Sequence, residues 1–260
     1  MTPGPDAEVP QPEPPKRRSR REPVAPARVL SVHAHPDDQE FSVGGTLAKW
    51  ARAGSVIATV CVSSGQAGSN EYTPADMTRD ALAVIRRDEQ RNACRVLGIE
   101  EVVFLEYEDG MIEPSIALRR DLTRIIRRFR PDAVVCGDPT MRFYGSGYLN
   151  HPDHRATADA TLSAVFPSTE TRLMFPELLV EGLEPHKVQA IFIHGSERSD
   201  TFIDIAEMLP VKLAALREHR TQLGDWDPTA MVTDWAREQG ARRRLAAAES
   251  FRLMRFDGES

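Results

Sequence analysis

Apolar positions along this chain switch repeatedly between strand-like and helix-like spacing, and the switching lays out an architecture. Residues 29 to 33 read as a strand and 44 to 53 as a helix. Residues 56 to 62 read as a second strand, whose near-continuous apolar character marks burial on both faces. A long helical pattern over 77 to 97 stops at Gly98, the residue type that most readily closes a helix. Residues 102 to 105 give a third strand. After Pro114, Leu118, Leu122, Ile125, Ile126 and Phe129 fall on one helical stripe, which Pro131 blocks from continuing, and 133 to 136 give a fourth strand.

Repeated strand-helix units imply a parallel sheet, because right-handed crossovers return the chain in the same direction. The expectation is an α/β fold: a Rossmann-like three-layer αβα arrangement with a mostly parallel sheet and its active site at the carboxyl ends of the strands. Beyond Arg172 the pattern weakens. A strand is expected over 188 to 194, a helix over 210 to 223 with Leu213, Leu216 and Leu223 inward, and a further helix over 227 to 248. No internal repeat is visible. Residues 1 to 24 are rich in proline and charge and read as a disordered leader, which leaves 25 to 260 as a single domain.

Composition narrows the function. At 260 residues, 41% hydrophobic and 28% charged, the chain can bury a full core. Its formal net charge is -6; the leader contributes +1, so the remainder is more acidic still. That argues against nucleic acid as a partner, since neutralising phosphates needs a basic face. Cys61, Cys94 and Cys136 form no C-x-x-C pair, and three cannot all pair within one chain; they read as buried filler in a reducing, cytoplasmic compartment. No run has the length of a membrane span, and the first residues lack the apolar segment of a secretory signal.

Candidate chemistry sits in two short clusters, His35-Pro36-Asp37-Asp38 and His151-Pro152-Asp153-His154, each after a strand-like run and a turn. His35 and Asp38 can aim an imidazole and a carboxylate at one point. His154, one turn into a helix that Pro152 begins, can bring a third ligand. Two histidines and a carboxylate with open positions are how catalytic zinc is held. Asp37 can then take a proton from metal-bound water, and His151, held protonated and oriented by Asp153, can face a developing oxyanion.

Blander readings exist for each residue. A lone His-Pro-Asp is as readily a turn whose Asp caps the next helix; two such clusters at strand-to-helix junctions make coincidence a weaker account. His33 reads as a packed or supporting group, and His186, His194 and His219 have no carboxylate at ligand spacing. The same ligand triad also describes non-haem iron oxygenases, so iron(II) remains open beside zinc. Another metal-dependent amidase, or a non-catalytic carbohydrate-binding protein, completes the alternatives. No G-x-G-x-x-G follows the first strand, which leaves a dinucleotide enzyme unsupported.

The segments Ala34 to Glu40, Gly44-Gly45-Thr46 and His151 to His154 resemble the signatures of the PIG-L/LmbE de-N-acetylases, and so do Arg86 to Glu89, Leu97-Gly98, Asp109-Gly110 and Lys212 to Gln222. The resemblance covers nearly everything after the leader. It implies a zinc hydrolase that removes the acetyl group from an N-acetylglucosamine conjugate, a small-molecule substrate. It implies zinc on His35, Asp38 and His154, Asp37 as general base, and His151 at the oxyanion with Asp153 behind it. Arg86 and Asp109 match positions near the sugar, and assembly into a homo-oligomer is common in the family. One departure is visible: Gln39 stands between the two aspartates and Glu40, so Glu40 is given no role.

Overall fold

The computed structural model describes residues 22–256. In chain order the elements are β1 (Arg28–His33), α1 (Asp38–Ser42), α2 (Gly44–Arg52), β2 (Val56–Ser63), α3 (Arg79–Leu97), β3 (Glu101–Tyr107), α4 (Ile116–Phe129) and β4 (Ala133–Gly137). There follow a short hairpin β5 (Phe143–Tyr144) and β6 (Tyr148–Leu149), then α5 (Pro152–Ser163), α6 (Glu177–Val180), β7 (Ala190–His194) and β8 (Thr201–Asp204). The chain closes with α7 (Leu209–Leu216), α8 (Arg220–Leu223), α9 (Thr229–Ala241) and β9 (Ala248–Arg255). The expected leader lies outside the described residues except at 22–24, where Glu22 accepts a bond from Lys49 Nζ at 2.6 Å.

The strands form a seven-stranded sheet in the order β3-β2-β1-β4-β7-β9-β8. The first five of these are mutually parallel, while β9 runs antiparallel to both β7 and β8. The mostly parallel three-layer fold is therefore present.

Successive side chains of a strand point to opposite faces, so the apolar runs divide between two cores. On one face Val29, Ile57, Val135 and Phe192 pack with Leu47, Trp50, Leu97 and Ala215. On the other, Leu30, Val60, Val134 and Ile191 pack with Leu118, Leu122, Ile126 and Ala160. The helices obey their sequence signals: Ser115 Oγ accepts from Leu118 N at the start of α4, and Gly98 closes α3 at a φ of 84°.

The C-terminal region departs from expectation. The helix expected over 210–223 breaks after Leu216 and resumes as α8, and the one expected over 227–248 ends at Ala241, with β9 following. Ala248, Phe251 and Leu253 are buried, and a pleated strand reaches the sheet with them as a continued helix would not. What places the site is the sheet order: β1 pairs β2 on one side and β4 on the other, so the connection direction reverses between β1 and β4. That reversal opens a crevice at their carboxyl ends.

Candidate active site

Both clusters empty into that crevice. His35 to Asp38 form the turn between β1 and α1, and His151 is the N-cap of α5, whose first residue is Pro152. Asp38 folds back so that its Oδ2 accepts the His35 N–H at 2.9 Å. The same oxygen lies 3.4 Å from His35 Nδ1, and Oδ1 lies 3.0 Å from His154 Nε2. The two imidazole nitrogens are 3.3 Å apart. His35 Nδ1 and His154 Nε2 thus lie side by side against one carboxylate, each within 3.4 Å of one of its two oxygens.

These separations suit a tetrahedral cation. Bonds of about 2.0–2.1 Å put neighbouring ligand atoms roughly 3.3 Å apart. The far nitrogen of each imidazole is also committed: His35 Nε2 faces Asp109 Oδ1 at 3.0 Å and Asp153 Oδ2 at 3.3 Å, while His154 Nδ1 faces Asn150 Oδ1 at 3.2 Å. Protons held there leave His35 Nδ1 and His154 Nε2 as lone pairs on the Asp38 side, the arrangement that metal-binding histidines need. A second set, His35, His151 and His154, also has donor atoms within 4.8 Å of one another. Asp38 brings the negative charge that offsets a dication, which favours it as the third ligand beside the two imidazoles.

The two adjacent aspartates are driven apart electrostatically. Burial works against ionising Asp38, yet His154 and His35 outweigh it and hold its carboxyl well below the usual range. For Asp37 burial prevails: Arg86 pulls down, Asp38 pushes up, and the net shift is upward. A carboxylate ligand beside a carboxylate with raised proton affinity is the pairing expected of a ligand and a base. His35 and His154 are raised too, their bonds and charges to Asp38 overcoming burial, with Asp109 and Asp153 adding to the effect on His35.

His151 differs from expectation. Its side chain is 40% exposed, burial followed by the charges of His35 and His154 lowers its pKa, and its Nδ1 accepts a backbone N–H, which a neutral ring can do and a protonated one cannot. Asp153 approaches its Nδ1 only to 3.9 Å, beyond hydrogen bonding. The carboxylate is wholly buried and accepts instead from Gly110 N at 2.7 Å and Ile112 N at 3.3 Å while facing His35. The expected support of His151 by Asp153 is corrected accordingly: an acidic residue two places along a helix start turns inward, where backbone donors await it. What His151 receives is the Asp153 backbone N–H on Nδ1 at 3.2 Å.

Arg86 and Asp109 are buried, 3% and 7% exposed, and bond other parts of the protein, with Arg86 Nε left without a partner among the described residues. Arg86 donates to Gly65 O at 2.7 Å, Pro36 O at 2.8 Å and Asp37 Oδ2 at 3.2 Å. Any Cβ at Gly65 would run into that guanidinium. Asp109 accepts from Ala67 N at 2.7 Å and, with His35 bonded to it despite its burial, falls to about 2.

Other histidines find partners that the sequence hid. His33 bonds Ser31 Oγ at 2.8 Å and stacks on His194, His186 meets Pro131 O, and His219 pairs with Glu40. The three cysteines are buried free thiols raised by burial, about 12 for Cys94 and Cys136, which makes them poor nucleophiles. Asn150 was missed; its one signal was an amide directly before His-Pro-Asp-His.

With this geometry in view, the likenesses to known proteins fall into place. The N,N'-diacetylchitobiose deacetylase of Pyrococcus horikoshii superposes with a TM-score of 0.81 at 30% identity, covering 88% of this chain and 84% of that one. The 1D-myo-inositol 2-acetamido-2-deoxy-alpha-D-glucopyranoside deacetylase 1 of Saccharopolyspora erythraea is 29% identical over 288 residues, 90% of this chain and 91% of the relative. The 4-carboxy-2-hydroxymuconate hydratase of Pseudomonas putida shares the fold alone, with a TM-score of 0.74 at 21% identity, covering 90% and 98%. The family model for GlcNAc-PI de-N-acetylase matches residues 30–165, more than half of the chain, and the chain belongs to that PIG-L family.

Proposed function

We propose that this protein is a metal-dependent N-deacetylase acting on an N-acetylglucosamine-containing conjugate, releasing acetate and a free amine. Zinc is the resident cation in this reading, with iron(II) as the alternative hydrolytic metal. The observation that carries it is the donor triangle of His35, Asp38 and His154, with the Asp37 carboxyl, raised in proton affinity, one residue from the ligand Asp38. The relatives named as deacetylases act, by those names, on acetylated glucosamine compounds, and the same substrate class is assigned here.

A cation held by the triangle would supply Lewis acidity to the acetamide carbonyl and to the attacking water. The remaining work belongs to side chains. Asp37 takes the water's proton and returns it to the leaving nitrogen, aimed throughout by Arg86. His151 spends Nδ1 on a backbone N–H, so its neutral ring offers the Nε2 proton to the oxygen on which negative charge builds. Asp109 and Asp153 orient His35, and the loops after β2 and β4 wall the pocket, with Tyr144 and Tyr148 available to a sugar face. An iron oxygenase has no use for the second aspartate.

We read residues 25–260 as one catalytic unit working in the cytoplasm, the reduced buried thiols being the support for that compartment, and as capable of homo-oligomer formation. Among the described residues no helix is long and apolar enough to cross a membrane. The test is acetate release from a panel of N-acetylglucosamine conjugates before and after exhaustive chelation. Release that stops on chelation and returns with zinc is expected. Full release from metal-free protein would end the metal reading, and no release from any panel member would end the substrate assignment.

A further inference from the structure

Three residues that the mechanism leaves idle meet beneath the Asp37 turn. Glu40, Gln90 and His219 are each 0% exposed. His219 Nε2 lies 3.1 Å from Glu40 Oε2. Glu40 Oε1 accepts from Gln90 Nε2 at 3.0 Å and from Gln39 Nε2 at 2.9 Å. Gln90 Oε1 then accepts the backbone N–H of Asp37 at 2.9 Å. The Gln90 amide can stand only one way round, because its NH2 faces a carboxylate and its oxygen faces an N–H.

The residue so held is in an unusual state. Asp37 has a φ of 87°, in the left-handed region where a residue bearing a side chain is disfavoured. Such backbone persists at functional sites when the surroundings over-determine it. Asp38 has its own restraint in the bond from His35 N–H, so the ligand does not depend on the Asp37 backbone in the same way.

We propose that Gln90 is a positioning residue for the base, pinned by the Glu40–His219 pair and holding Asp37 in the left-handed conformation that turns its carboxylate to Arg86 and the metal triangle. The proposal rests on Asp37 being the base. It gives a purpose to Gln90 in α3, to His219 before α8 and to Glu40, which sequence reasoning left unassigned. Without the bond, Asp37 relaxes to negative φ and its carboxylate swings off line, while the three ligands keep their places.

The test is a double-mutant cycle with bound zinc, KM and melting temperature measured alongside. Gln90→Met has similar length and no hydrogen-bonding amide. It is expected to lower kcat about 10- to 100-fold, with KM and zinc content within about twofold of wild type. In an Asp37→Ala background the same change should cost less than about twofold, because the group it positions is gone. Gln90→Glu should keep kcat within roughly threefold, since a carboxyl buried against Glu40 stays protonated and reproduces both bonds. A crystal structure of Gln90→Met should show Asp37 at negative φ.

Wild-type kcat in Gln90→Met, equal losses in both backgrounds, loss of zinc, an equally damaged Gln90→Glu or an unchanged Asp37 φ would each overturn the proposal. Failure of the underlying reading is seen separately: Asp37→Ala alone would then retain turnover.

Discussion

The two His-Pro-Asp clusters look alike in sequence and are built on opposite principles. His35 to Asp38 lie on a tight turn with one residue at positive φ, braced from below by Arg86, Gln90, Asp109 and Asp153. His151 to His154 begin a regular helix, with Pro152 at its first position and His151 40% exposed. Asn150, directly before it, is tied to Met141 O at 2.7 Å, across the base of a hairpin whose Phe143, Tyr148 and Leu149 are more than half exposed. The contrast follows from charge. The first cluster carries two adjacent carboxylates that differ in proton affinity, which takes burial and fixed partners; the second carries one buried carboxylate, Asp153, which backbone donors hold, and two imidazoles placed by a helix start.

The comparison can be broken most sharply at the base. Asp37→Ala should lower kcat about 10³- to 10⁴-fold by acetate release, with zinc content near stoichiometric, because the proposed mechanism uses this one residue as both base and acid. Loss of zinc in that variant would mean that Asp37 shapes the site rather than moving the proton.

On the second cluster, His151→Ala should cost about 10²- to 10³-fold in kcat with metal retained, the loss typical of one oxyanion donor. His151→Gln should recover part of it if an N–H is what the site requires. A variant that sheds zinc would instead favour the donor set of His35, His151 and His154 over the one with Asp38.

Asn150→Ala should act on affinity and spare the chemical step. It removes the acceptor for His154 Nδ1, and zinc affinity measured against a competing chelator should weaken about 10- to 100-fold. Turnover at saturating zinc should be reduced far less. Unchanged affinity would show that the helix alone orients His154.

A smaller effect is expected in stability. Burial lowers His33 from 6.5 to about 4 and lowers its stacked neighbour His194 well below its usual value, so the fold keeps both neutral. The unfolded chain begins to bind those protons below about pH 6.5. Stability from this pair is therefore fully present above that pH and lost as pH falls toward 4, by about 1 kcal/mol per pH unit for His33. Urea unfolding between pH 7 and 4.5 should show a shallower decline in His33→Gln than in wild type; parallel declines would contradict it.

Legibility followed the range of the forces involved. The strands β1, β2, β4 and β7 and the helices α3 and α4 were readable because periodicity and a bounding Gly or Pro act within a few residues. The same rules misread 242–248 as a continuation of the helix, and left 249–255 unassigned, where the strand is settled by its pairing with β7. Arg86 and Asp109, expected near the sugar, also bond Asp37 and His35, partners that no local spacing reveals. His219 seemed unpaired because its carboxylate, Glu40, lies 179 residues away.

The chain by itself determined which chemistry was available: three imidazoles, two adjacent carboxylates, the strands that precede them and the turns that carry them. Tertiary structure alone decided which carboxylate faces which ring, which aspartate gains and which loses proton affinity, and which buried amide holds the turn in place. Residue types and local spacing are covalent facts, whereas desolvation and electrostatic partnership depend on groups brought within about 4 Å by the folding of distant segments.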